Sequence, residues 1–210
     1  MTSYLKLVAK TSASAVSTYY AGVADLQTTA GTTDKEFIYP SVNSGGLLVL
    51  AVGYNTGAKP AYTGWTELGD FQHGTEATSN MTIFYKATAE EEGTFDYSSG
   101  ATTIGGAVMV SINDATTISV GTREDDEDPA AVVPANDGSV ILSFLLSRRT
   151  PTGAITAPGN MTPGPDAIVS TGKWSPAVAY LEQTTAASFD PGTWGNSGAD
   201  HFNVSVVVSP

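Results

Sequence analysis

Residues 44–54 read SGGLLVLAVGY, an unbroken apolar run behind a Gly-Gly turn. A short apolar run bounded by turn residues predicts a strand buried on both faces. The pattern returns half a chain later as GSVILSFLLS, residues 138–147. The segments that follow each copy also match. After the first come YTGWT (62–66), MTIFYK (81–86), FDY (95–97) and GAVMVSI (106–112). After the second come APGNMT (157–162), AVAYL (177–181), FDP (189–191) and ADHFNVSVVV (199–208). Leu48 to Ile141 is 93 positions, Phe95 to Phe189 is 94, and Val108 to Val204 is 96. A drift of three residues fits inside loops. Two copies are too few for a solenoid, which needs at least three. They predict the two halves of a β-sandwich.

Composition agrees. The 210 residues include 22 Gly and 11 Pro, with only 14% charged, which suits short strands and turns better than helices. One all-β domain of this length is ordinary and can bury a sizeable core. The net charge is −12 with nine Lys and Arg, which argues against nucleic acid as a partner, since phosphate binding needs clustered cations. The absence of cysteine excludes disulfides and thiolate chemistry. Residues 1–20 do not read as a secretory signal, because Lys6, Lys10 and a Ser/Thr run break a short apolar stretch. No apolar run is long enough to span a membrane as a helix. The expectation is synthesis in the cytoplasm and no membrane partner.

Along the chain, YLKLVA (4–9) alternates weakly and predicts an edge strand, with Lys6 and Lys10 discouraging promiscuous pairing. Residues 11–33 read as an arm or long connection with one strand near 17–23. Whether that arm covers its own domain's edge or a neighbouring subunit's is left open by the sequence. Strands are expected at 37–42, 47–53, 65–68, 81–87, 94–97 and 107–112. Residues 69–79 and the Gly/Pro-rich stretch 150–166 read as loops. The expected organisation is an arm or edge strand over 1–35 and a single sandwich over 36–210. Its halves, 36–113 and 132–210, are joined by an acidic linker. The fold class is all-β: an antiparallel, jelly-roll-like β-sandwich with long loops and little helix. Leu48, Leu50, Val52, Val108, Val110, Ile141, Phe144, Leu146, Val204 and Val206 are the expected core.

Candidate chemistry is sparse. His73 and His201 are the only histidines; neither lies in a spaced metal-ligand motif, and no G-x-S-x-G elbow exists. Both read as surface-loop residues. The run EDDED (124–128) lacks the spacing of a calcium-binding loop, and neighbours in an extended chain point to alternate sides. It reads as a solvated linker. A glycosidase would need two carboxylates facing across a cleft, which a sequence does not show. Trp65, at a strand start behind Gly64, is expected in the core. Trp174 and Trp194, in Gly- and Pro-flanked loops, are candidate contact residues. So are Tyr19 and Tyr20 on the arm, and the basic pair Arg148 and Arg149 at the end of an apolar strand. Three N-x-S/T matches, at Asn80, Asn160 and Asn203, are attributed to chance. No catalytic residue, metal or cofactor is expected.

The order of elements resembles β-sandwich virion proteins of tailed bacteriophages, among them capsid decoration (cement) proteins and tail-fibre or tail-tip domains. The residues that carry the likeness are 45–52, Gly64-Trp65-Thr66, 83–86 and 105–112, and it runs from about Phe37 to the C-terminus. The resemblance implies a non-enzymatic, homo-oligomeric structural protein without cofactor. Decoration of the outer capsid shell, as a trimer bound to the major capsid protein, is the first expectation. The arm would face the shell, and deletion of residues 1–30 would abolish particle binding while sparing the fold. A tail protein that binds host surface glycans through Trp174 and Trp194 is the alternative. Either way the expected location is the virion.

Overall fold

The computed structural model describes residues 18–23, 36–39, 45–55, 59–74, 79–87, 93–96, 104–147, 155–166, 175–195 and 201–210. Every regular element among them is a β-strand. The first half contributes β1 (Thr18–Val23), β2 (Glu36–Ile38), β3 (Leu47–Tyr54), β4 (Thr66–Gln72), β5 (Asn80–Ala87), β6 (Thr94–Asp96) and β7 (Ile104–Ile112). The second contributes β8 (Thr117–Glu124), β9 (Ser139–Ser147), β10 (Thr162–Asp166), β11 (Ser175–Gln183) and β12 (His201–Ser209).

The chain completes one antiparallel sheet before starting the other. Sheet order is β1-β7-β3-β5-β4 in the first and β8-β12-β9-β11-β10 in the second, with β2 and β6 forming a small separate pair. These two orders are the same arrangement used twice. The registers repeat as well: Ala51 lies between Val108 and Ile83, and Phe144, 93 positions later, lies between Val204 and Val178. Irregularities are duplicated too. β1 slips against β7 between Tyr20 and Val23, and β8 slips against β12 between Val120 and Arg123. The pairing Phe37↔Phe95 has its counterpart in the lone bridge Val132↔Phe189. Even the turn before β4, Trp65 N to Tyr62 O (3.2 Å), recurs as Met161 N to Pro158 O (2.9 Å). Gly45 (φ +90°) and Gly138 (φ +79°), also 93 apart, lead into β3 and β9 in a conformation that side-chain-bearing residues rarely adopt.

The sheets face each other with β1 over β10, β7 over β11 and β4 over β8. Exchanging the halves maps the first of these contacts onto the last, as a two-fold axis through the middle would. The flanks of the interface are therefore related as in a symmetric dimer joined into one chain, whereas the β7–β11 contact has no β12–β5 counterpart of like extent. A jelly roll weaves its strands between the two sheets. Here the sandwich is as expected, but each half keeps to its own sheet.

Three apolar layers result. Leu47, Val49, Ala51, Ile83, Val108 and Val110 meet Leu142, Phe144, Leu146, Val204 and Val206 between the sheets. Leu48, Leu50, Val52, Tyr54, Phe84 and Met109 form a second layer on the outside of the first sheet, closed by Tyr62 and Phe95. Ile141, Leu145, Ala177, Ala179 and Val207 form a third on the outside of the second, closed by Val132, Met161 and Trp194. β3 and β9 are thus buried along their whole length, so their side chains do not alternate in polarity.

Several expectations change. Residues 117–124 are not linker: β8 is the edge strand of the second sheet, so that half begins before residue 132. Its alternating Ile118 and Val120 pack against the central layer. The supposed loop 69–79 carries β4 as far as Gln72, through an irregularity between Glu67 and Gly69. The supposed loop 150–166 ends in β10, whose two prolines are tolerated because it is an edge. Strand 17–23 is present as β1 and covers its own domain's edge by pairing with β7. Deleting residues 1–30 would therefore strip a strand from the first sheet; a truncation that spares the fold must stop before Thr18. The edge strand expected at 4–9 lies outside the described residues.

Candidate functional site

The flank where β4 meets β8 holds most of the described polar contacts between the halves. β8 ends in Arg123 and Glu124, and the chain then turns through the acidic run. Asp126 Oδ1 accepts from Asp128 N two residues on (2.9 Å), the local turn that Asp favours. Residues 125–128 are solvent-exposed, as like charges in a row require. Their backbone, however, is fastened. Asn203 Nδ2 donates to the Asp126 carbonyl (2.7 Å), and Trp194 N donates to the Glu127 carbonyl (2.8 Å).

Asp125 joins the halves. Its carboxylate accepts from Gly74 N at the end of β4 (3.1 and 3.2 Å) and from Arg123 Nη2 (2.8 Å). Arg123 Nη1 donates in turn to the Gln72 carbonyl. His73 lies beside them, its ring centroid 6.4 Å from that of Phe202. The Arg123–Asp125 pair is about one-third exposed on each side, so its value is geometric: exposed pairs contribute only about 0–1 kcal/mol. Sequence reading found none of these partners. Gly74 and Asp125 are 51 residues apart, and no local pattern links them.

A second polar group sits on the first sheet. Tyr54, 5% exposed, donates its hydroxyl to Asp70 Oδ1 (2.8 Å), and Thr82 Oγ1 donates to the same oxygen (2.7 Å). Lys59 Nζ pairs with Glu67 on the exposed side of the same strand (2.7 Å). Burial first, and then the hydrogen bond and charge of Asp70, push the Tyr54 phenol far above its usual 10.0. The folded protein holds that proton more tightly than the unfolded chain does. The corresponding stability is intact below about pH 10 and is lost as pH climbs toward the higher folded value. Urea melts above pH 10 should therefore show stability falling more steeply for the wild type than for Tyr54→Phe.

The tertiary structure scatters the contact candidates. Trp194 is not on the surface: it is 2% exposed, packed in the outer layer of the second sheet, with Nε1 donating to Ser143 Oγ (3.0 Å). The loop that carries it folds back over the sheet, where Ser143 stands at the position that Leu50 fills in the first half. Trp65 is half-buried against Phe95 (5.3 Å between ring centroids), in keeping with its expected core role. Tyr19 and Tyr20 lie on β1, opposite Ser111 and Val110 of β7. Arg148, Arg149 and Trp174 lie outside the described residues. His201 opens β12 opposite Ser147 and is not a loop residue. Among the described residues, no three His, Asp or Glu side chains are grouped to hold a metal ion.

Beyond Arg123 the outer face of β8 is polar and uncharged. Ser119, Val120, Gly121 and Thr122 line one side of a groove of about 220 Å³; Ala131, Val132 and Val133 line the other, with Val207 at its floor. Val133 is 72% exposed. What this flank offers is contact: a strand edge paired only with β12 among the described strands, a small, mainly polar groove and a fixed acidic run.

No known protein family, no curated protein and no solved structure matches the chain.

Proposed function

We propose that the chain is a non-catalytic structural protein of a tailed-phage virion that decorates the outer capsid shell and holds it by contact. The phage reading comes from the resemblance over 45–52, 64–66, 83–86 and 105–112. The observation that carries the structural role is the covering of the central strands on both faces, between the halves and beneath the outer layers. Such a body presents edges and loop ends to a partner and is stiff between them. Its mode of action is mass action: a protein that binds only the assembled shell stabilises that shell. The net charge of −12 keeps the solvent side from associating non-specifically.

The glycan-binding alternative loses one of its two stacking platforms, because the Trp194 ring is buried and hydrogen-bonded to Ser143. A quantified protein gel of purified particles is the test. Copies in the hundreds per particle, with shells that break at lower temperature when the protein is absent, are the expected result. A handful of copies, or none, overturns the capsid assignment.

A further inference from the structure

The edges of the two sheets are not equally protected. β4 carries Glu67 and Asp70, and β10 carries Pro163 and Pro165, the charges and prolines that stop a strand edge from pairing. β1 lies beside β2. β8 has neither device over its first six residues, TISVGT: no charge and no proline. Its only sheet neighbour among the described strands is β12. Beside it runs the groove that ends at exposed Val133, and at its far end stand the five carboxylates of residues 124–128. Strand edge, adjoining side-chain groove and terminal charge are the three parts of a strand-addition site, in which main-chain bonds supply affinity and pockets supply specificity.

The chain itself contains a segment that fits. Residues 4–9, YLKLVA, place Leu5, Leu7 and Ala9 on one face of an extended strand and Tyr4, Lys6 and Val8 on the other. The first carboxylate of the chain is Asp25, so residues 1–24 carry Lys6 and Lys10 unopposed in a protein of net charge −12. That segment is complementary to an edge that ends in acid. We infer that residues 4–10 of one copy add as a strand to the β8 edge of a second copy.

Chain length favours a second copy over the same one. β1 and β8 lie on opposite flanks of the sandwich. Crossing it diagonally means about 20 Å of sheet width and about 10 Å between sheets. Residues 11–17 reach about 25 Å when fully stretched. The direct line runs into the end of the sandwich, where Thr116 N bonds the Ser209 carbonyl (2.9 Å) and Pro210 packs on Gly138. The diagonal of about 22 Å already takes nearly all of that reach, and a detour around that end adds to it. Exchange between copies has no such limit and closes into a dimer or a small ring.

This inference does not depend on the virion reading and is tested on the isolated protein. Light scattering of the full chain should give at least twice the chain mass. Deletion of residues 2–16, and separately Ser119→Lys with Val133→Lys on exposed groove positions, should each return the mass to that of one chain with unchanged far-UV circular dichroism. The cysteine-free sequence permits a direct check that does not rely on those variants. Leu7→Cys with Ser119→Cys should oxidise to an inter-chain disulfide, and two differently tagged chains should cross-link to each other. A full chain that stays single at all concentrations overturns the inference. So does association that survives both changes, or a disulfide that forms only within one chain.

Discussion

Replacing Phe144 with Ala lowers the free energy of unfolding by about 3–5 kcal/mol, the range for deleting a buried aromatic ring from a packed core. Phe144 is fully buried, sits on the middle strand of the second sheet, and has Val178 and Val204 as its cross-strand neighbours. Its equivalent in the first half is Ala51. The ring is among the largest side chains of the central layer, and Phe144→Ala leaves a void there. At roughly 2–4 °C per kcal/mol for a chain of this size, the melting temperature should fall by about 6–20 °C. Urea denaturation with an unchanged slope is the check. A melting temperature like that of the wild type would mean that the halves do not pack face to face.

Trp194→Ala is expected to cost about as much, about 3–5 kcal/mol, although the residue lies in a loop. The indole closes the outer layer of the second sheet, and its loss opens Ile141, Leu145 and Ala179 to water. Trp194→Phe separates two contributions. It keeps most of the apolar cover but leaves the Ser143 hydroxyl without its indole donor, a loss of about 1–3 kcal/mol for a buried polar group. Fluorescence adds a second readout: Trp194 should emit as a buried indole, and quenching by iodide should spare it. A surface platform for glycan would behave in the opposite way, with normal stability and open access to quencher.

The first half and the second half were legible as copies because strand length, turn chemistry and apolar runs are local properties. Offsets of 93 to 96 between landmarks survive in the register of nearly every strand pair. The expected core residues are all buried. Their division was not legible. Leu48, Leu50 and Val52 belong to the outer layer, while Val49 and Ala51 face the other sheet. A strand that is apolar on both sides carries no alternation to say which side meets which layer. β10 was hidden for a different reason. Its two prolines signal a loop unless the strand is known to be an edge, and edge position depends on the order of all five strands.

From the sequence alone came an all-β chain, duplicated, with strands buried on both faces and a net charge of −12. Each of those follows from composition and from patterns shorter than about ten residues. Tertiary structure alone decided that each half keeps to one sheet, that β8 belongs to the second of them, and that Trp194 turns inward. It also decided that the acidic run is a fixed corner, because Asp125 is held by Gly74 from the other half. The last three rest on pairings across more than 50 residues, and the free energy that selects them appears only when both partners leave water together.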